Sequence, residues 1–594
     1  MLLFLFFLFI EKEIKAQHDT LKHFFLGEIS ITADREPESE IILRNDISTI
    51  MNQPELSSAI AEIPGVSPIL TGSRNEKSVL IRGFDSRQFT VFVDGIPVYI
   101  SYDGTMDLGR FLSWNYEKVK ISKSFTSLLY GMNTMGGAIN LITRIPENDV
   151  EVRMNTGLYF GNNGYEGNQS NYSLGGKNGN FVFQTNLSRY KIDGWSVSNN
   201  SYLISSQESR LRNNSYEEDF SLGFRIGFIG DKGNRFLVSY TKHEGQKGIP
   251  GYKGEYQPER YWQMPDWDKE TLSMISEIKT GNNSQLRLRL YYDSFFNFLK
   301  SYDDSTYTNQ NTRYAFSSKY NDHSMGISSE YKLDAAAHKF GVAFGMKNDF
   351  HSEQANTGSL FTKIRDYNVW FAVEDNYSPW QKTDLVAGIS VHQRSNTLAE
   401  GLENNTEIIE IPSRSHSAFN YRVGVFYTMN THHRLWSGFA FNSRFPTMKE
   451  RYSFRLGRSI PNPDLKPEYA SHMTAGYDFH SNTGSINIEI FYVRAHDRIS
   501  YITPEPGLIQ YQNLEKSYSL GADISYKKTI IRALIAGVNY SYIYITNPDN
   551  DQFYFVDIPA HSGNVWIRSI FPEKLNLKAE YQVLSGRYSY SDES

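Results

Sequence analysis

The chain contains no cysteine. That excludes disulfides, thiol catalysis and cysteine-ligated metals. Beyond Leu2–Ile10, no apolar run approaches the roughly 18 residues a membrane-spanning helix needs. Charge is not lopsided either: the formal net charge is −6, too mild to mark a nucleic acid as partner. No His-x-x-x-His or carboxylate–histidine spacing argues for a metal site, and His432-His433 falls in an expected short turn. The nucleophile-elbow pattern GxSxG is missing. No enzyme activity, cofactor or bound metal is therefore expected. An outer-membrane lipid hydrolase is the one enzyme class left to weigh, and its smaller barrel would not need the extra N-terminal domain found here.

What is present is aromatic and periodic. The chain holds 40 Tyr and 38 Phe. From about residue 150 onward, alternating segments of about 9–14 residues follow one another. In Asp219–Phe228 (DFSLGFRIGF), Phe220, Leu222, Phe224, Ile226 and Phe228 point one way. Asp219, Ser221, Gly223, Arg225 and Gly227 point the other. The gaps between segments are short, long, short, long. GGKNGN (175–180), IGDKGN (229–234), TGNNS (280–284), MNTHH (429–433), HSNTG (480–484) and FPEKL (571–575) are short; 191–216, 243–269 and 444–466 are long. Sorting turns by length has no purpose in a water-soluble sheet. A barrel crossing a membrane requires it, with lipid-facing and lumen-facing residues alternating, and it must close because lipid cannot satisfy an open strand edge. About 19 crossing strands are expected between 150 and 587.

The N-terminal part differs. Leu2–Ile10 followed by EKEIKAQ resembles a secretory signal peptide, ending near Ala16 or Gln17, although no Lys or Arg precedes the apolar run. Residues 18–34 are polar and lack a sustained period. Residues 35–146 carry a compact α+β pattern. Ser57–Ile63 has helical spacing and stops at Pro64-Gly65; Val79–Ile81, Thr90–Val93, Lys118–Ile121 and Ala138–Thr143 are short β-type runs, and Asp94-Gly95 reads as a tight turn. A domain of this size in front of a large barrel is expected inside the lumen.

Several segments together resemble TonB-dependent outer-membrane receptors. AIAEIPGV (59–66), IRGFDSRQFTVFVDGIPV (81–98) and YEKVKISKSFTSLLYGMNTMGGAINLITR (116–144) look like the family's plug. RFPTMKERY (444–452), NPDLKPEYA (462–470) and YQNLEKSYSLGADISYKK (511–528) resemble its barrel. GEISITAD (27–34) is similar to the energy-coupling segment, placing Glu28, Ile29, Ser30, Ile31, Thr32 and Ala33 in strand-addition contact with the TonB protein. The chain departs from the family at Lys123-Ser124-Phe125, where a basic residue followed by Gly-Pro is usual. It also departs in strand number. The family closes with 22 strands, so a wall of about 19 is expected to lack the last three and to leave 575–587 and 150–159 as open edges.

The resemblance implies import of a scarce chelate, an iron–siderophore complex above all, by a monomer in the outer membrane. Cobalamin or another metal chelate is the alternative within the class; a passive porin or structural barrel is the alternative outside it. Ligand contacts are expected on two plug loops, at Arg74, Asn75, Tyr99, Tyr102 and Asp103, and in the 243–269 gap at Arg260, Tyr261, Trp262 and Trp267. There, aromatic faces and a guanidinium suit a flat or anionic chelate. Arg82 and Lys123 lie at basic motif positions, and Glu468 is the carboxylate expected to pair with one of them across the plug–barrel boundary.

Overall fold

The computed structural model describes residues 39–42 and 55–588, apart from 72–73, 163, 198–210, 231–232, 252–259, 313–314, 404–406, 455–457, 550–554 and 572–574. The expected leader, the polar segment 18–34 and the coupling residues Glu28–Ala33 lie outside the described residues.

All the expected crossing segments are strands, from Glu151–Gly161 to Leu575–Ser585. The wall contains one further four-residue strand, Glu407–Glu410, which only extends Thr383–Glu403 as a hairpin. Among the described residues nineteen strands therefore cross the wall. Consecutive crossing strands pair antiparallel with long registers, such as Phe181↔Phe228 through Ile192↔Glu217. Period-two alternation sets which face each residue takes. Phe224 and Ile226 are exposed toward lipid, while Asp219 and Arg225 between and beside them are buried in the lumen.

Two expectations need correction. The sheet order returns from Leu575–Ser585 to Glu151–Gly161, so the wall closes and those segments are neighbours rather than open edges. Nineteen strands make eighteen antiparallel steps, an even number, so first and last strands run the same way and the wall's seam joins parallel neighbours. The gap 243–269 is not a long loop. Arg235–Ile249 and Tyr261–Lys279 extend the wall upward on both sides of it, leaving only 250–260 as connection. Register shifts between Gly245 and Lys247 and between Gln263 and Asp266 break the alternation there and hide the strand in the sequence.

The N-terminal domain sits inside the wall. Its five-stranded sheet comprises Ser39–Ile42, Tyr116–Ser122, Gly137–Thr143, Phe89–Val93 and Ile96–Pro97, and Val66–Thr71 pairs separately with Glu76–Ile81. The short helix Leu56–Ile60 packs beside them. Asp94 and Gly95 both take positive φ, 51° and 78°, which gives the tight hairpin turn the sequence announces. The central core runs through Leu56, Val79, Val91, Val119 and Leu141 and continues into wall residues Met264, Trp267 and Phe295.

Candidate functional site

Charged contacts between plug and wall define the lumen. Arg82 takes φ 49° and is followed by Gly83 at φ 81°. This left-handed corner aims its guanidinium at the wall. There it meets Asp523 at 2.7 Å and Glu489 at 2.7 Å. Lys123 reaches the same Asp523 oxygen at 2.7 Å, and Ser124 accepts a bond from Arg82 at 2.7 Å. The Lys-Ser-Phe departure thus supplies a hydroxyl to the ion cluster, while Phe125 fills a recess over Gly424 and Gly438. The expected partner, Glu468, belongs elsewhere. It pairs with Arg444 and accepts the Ile499 amide at 2.6 Å, and on the plug it meets Gln88 at 3.4 Å. Glu468 opens its strand beside the 444–468 loop, several residues along the wall from the plug's basic corner. The real partner was legible: in SLGADISYKK, Asp523 alternates with exposed Leu520 and Ile524 and so faces inward.

On the opposite side of the lumen, Lys77 bridges Glu55 and Glu217 at 2.5 and 2.9 Å, Lys247 holds Asp107 at 2.8 Å, and Arg110 holds Asp219 at 2.5 Å. Glu374 pairs with Arg422 at 2.7 Å and accepts bonds from the Ser127 hydroxyl and the Leu128 amide at 2.8 and 2.5 Å.

The outward face of the plug forms a concavity. Ser86, Arg87, Tyr99, Ser101 and Thr105 line it from the plug; Asp349, Asp366 and Arg394 line it from the wall, and Phe445 and Thr447 from the loop above. That loop folds inward rather than away. Thr447 and Glu450 form a capping box that starts the helix Met448–Tyr452. Lys449 then reaches Asp103 at 2.6 Å, and its amide donates to the Tyr102 carbonyl at 3.1 Å.

Of the sequence-selected plug residues, Tyr99 lines this concavity, and Arg74, Asn75, Tyr102 and Asp103 are not among its lining residues. Tyr99 donates to Asp349 at 3.1 Å and lies under the Lys347 ammonium at 3.5 Å. Arg74 and Asp103 pair with each other at 2.8 Å. Burial would raise the Asp103 carboxyl, but Arg74 and Lys449 outweigh it and hold it well below the usual carboxylate range. Tyr102 is buried and stacks on His351 at 4.0 Å; burial pushes its phenol well above 10. Asn75 takes φ 52°, and its carbonyl accepts from Lys247 at 3.0 Å. Near the mouth, Arg260 lies 5.1 Å from the Trp262 ring, Trp262 meets Phe316 edge-on at 5.7 Å, and Tyr261 meets Tyr307 at 6.2 Å. Trp267 is not with them. It is 2% exposed, packs edge-on to Phe295 and sits under Arg110 as part of the plug core. Sequence reading missed Arg87, Asp349, Asp366 and Arg394, because only the fold brings two distant loops and three strands to one hollow.

With this geometry described, comparison with known proteins is direct. Residues 231–594 match the model of the TonB dependent receptor-like β-barrel, and 36–138 match the TonB-dependent receptor plug domain. The vitamin B12 transporter BtuB of Vibrio vulnificus is 23% identical over 266 residues, covering 37% of this chain and 43% of that protein. BtuB of Vibrio cholerae is 30% identical over 122 residues, 20% of each chain. The chain thus matches less than half the length of these curated relatives. Among solved structures, the copper transporter OprC superposes with a TM-score of 0.77 at 13% identity, covering 93% of this chain and 87% of that one. The unliganded ferric citrate transporter FecA superposes with 0.73 at 17% identity, covering 92% and 84%. The plug, the wall enclosing it and both family matches lead to one conclusion: this chain belongs to the TonB-dependent receptors, a family of transporters rather than enzymes, and is an integral β-barrel of the outer membrane.

Proposed function

We propose that the protein imports a chelated, scarce solute of the iron–siderophore class, using energy delivered by a TonB-type partner. One observation carries this reading. The lumen is occupied by a folded plug whose core continues into the wall, yet its outward face keeps a concavity where Arg87, Asp349, Asp366 and Arg394 stand beside apolar Val98, Met106 and Phe445. A passive pore gains nothing from such an arrangement, whereas a gated importer needs both parts. Tyr99 and Arg87 are the plug groups best placed to meet a ligand in the concavity, while Arg74, Asn75, Tyr102 and Asp103 are proposed as contacts on the neighbouring plug loops. Arg260, Tyr261 and Trp262 stand near the mouth as a first contact, and Trp267 supports the plug beneath them.

Cobalamin is a second reading, favoured by the vitamin B12 transporters among the curated relatives. Glu28–Ala33 are proposed to add as an edge strand to the periplasmic partner, since Ile29 and Ile31 alternate with Ser30 and Thr32.

The test expresses the full chain in cells lacking their own receptors, with and without TonB. It follows radiolabelled ferric hydroxamate, ferric catecholate, ferric citrate and cyanocobalamin. TonB-dependent accumulation of at least one probe is expected. Ile31→Pro, which deletes a backbone donor, should abolish accumulation and leave surface binding intact. Absence of TonB-dependent uptake for every probe, or undiminished uptake by Ile31→Pro, would count against the reading.

A further inference from the structure

Most inward-facing polar groups of the wall are paired with the plug or with each other. On adjacent strands, Ser390, His392, Asn420 and Asn442 carry polar atoms that are not, although Asn420 keeps one bond, its Oδ1 accepting from Ser443 Oγ at 2.7 Å. Ser390 and His392 lie on Thr383–Glu403, Asn420 on Ser415–Thr428 and Asn442 on His433–Arg444; each is at most 1% exposed. Both ring nitrogens of His392, both side-chain polar atoms of Asn442, the Asn420 amide nitrogen and the Ser390 hydroxyl have no hydrogen-bond partner among the described residues. Ser390 stands directly opposite Asn420. Asn420 and Asn442 flank the Tyr421–Phe441 pair on their two strands. The four therefore form one patch.

Leaving such groups buried and unpaired carries the full desolvation penalty of each. Alanine, which the same strands already use at Ala418 and Ala440, would avoid it. Elsewhere on the wall Gln169, Asn171 and Gln184 each leave one such atom unpaired, whereas His392 and Asn442 leave both. Position supplies a reason. Two residues toward the cell exterior from His392, Arg394 lines the concavity. Two residues in the other direction from Asn420, Arg422 joins Glu374 in holding Ser127 and Leu128. The patch thus lies between the outward hollow and a latch on the plug. Across from it, the plug presents the segment 125–135. This segment includes one short turn of helix, Leu128–Tyr130, and two left-handed residues, Gly131 and Asn133.

We propose that Ser390, His392, Asn420 and Asn442 form a transit site. They receive the uncharged polar periphery of the cargo (amides, carbonyls and hydroxyls) as plug segment 125–135 withdraws from the wall. This rests on the import reading above. Amide, hydroxyl and imidazole groups offer donors and acceptors without fixed charge, so they can hold a hydrogen-bonding ligand briefly and release it.

Because the chain has no cysteine, one introduced thiol reports cleanly. Asn442→Cys is expressed in TonB-positive and TonB-negative cells, supplied with the four probes named above and treated with a fluorescent maleimide. Ile275→Cys, which faces plug residue Ile96 on the other side of the lumen, is the control. Several-fold greater labelling of Asn442→Cys in TonB-positive cells, with Ile275→Cys protected in both, is expected. In a second arm, His392→Leu with Asn442→Leu should cut uptake several-fold while surface binding persists. Probe uptake with TonB-independent or equal labelling at both positions overturns the transit site and leaves the import reading standing. Unchanged uptake by the leucine variant also overturns it. Absence of TonB-dependent labelling together with absence of all uptake removes the import reading and this inference with it.

Discussion

The two sides of the plug meet the wall by different means. Toward strands 217–302, plug and wall share one apolar core: Met264, Trp267 and Phe295 pack with Phe111 and Val91. The ion pairs of Lys77, Asp107 and Arg110 surround that core. Toward strands 361–444 the shared apolar cluster is smaller: Phe125 packs with Val386, Phe426, Trp436 and Ala440, and the Glu374 latch lies next to it, beside a patch of side chains with unpaired polar atoms. Burial of aromatic surface is non-directional and hard to undo piecemeal. A latch of a few hydrogen bonds on an inserted segment can be released and remade. The proposed transit requires a plug that stays seated on one side and yields on the other.

The largest effect should follow from Asp523→Ala. It leaves Arg82 and Lys123 buried with only Glu489 between them, at a cost of about 3–5 kcal/mol. Thermal unfolding of the purified receptor and protease sensitivity of the plug would show it. A change below about 1 kcal/mol, as for an exposed pair, would mean the cluster is not dry. Glu374→Ala should come next, at about 2–4 kcal/mol, because Arg422, Ser127 and Leu128 lose a shared acceptor. Hydrogen exchange should rise in segment 125–135 and stay unchanged in strands 89–93 and 137–143. Equal exchange throughout the plug would erase the proposed asymmetry.

A smaller effect concerns pH. The Asp103 carboxyl is held below its ordinary value by Arg74 and Lys449 against the opposing effect of burial. A depressed folded-state pKa stabilises above the unfolded value of about 3.9 and is lost as pH falls through the folded one. The Lys449 latch should therefore be constant from about pH 5 to 8 and weaken only at lower pH. Exchange of the 444–468 loop, corrected for intrinsic rates, measures this, and Asp103→Asn should show the weakened latch at neutral pH. The smallest effect is Arg189→Ala. Its pair with Glu218 on the wall is exposed and should contribute no more than about 1 kcal/mol.

Much of the fold was legible because period-two alternation survives wherever one face meets lipid and the other a polar lumen. It failed at 243–269, where a bulge and inward aromatics such as Trp267 mimic a loop. In the site, Tyr99 could be placed on a plug apex from its motif. Asp349, Asp366 and Arg394 could not be joined to it, since contacts across the lumen leave no spacing in the chain. Arg82 and Lys123 announced a buried pair, yet choosing Asp523 over Glu468 required asking which carboxylate alternates inward at the right height.

The most direct test of a plug that yields on one side locks each side in turn. Phe125→Cys with Gly438→Cys bridges the 383–444 side, and Ile96→Cys with Ile275→Cys bridges the other. Oxidation of the first pair should stop TonB-dependent uptake of the carried probe and reductant should restore it, while oxidation of the second should leave uptake near the parent's. Uptake through the first lock, or loss of uptake with both, would contradict this account.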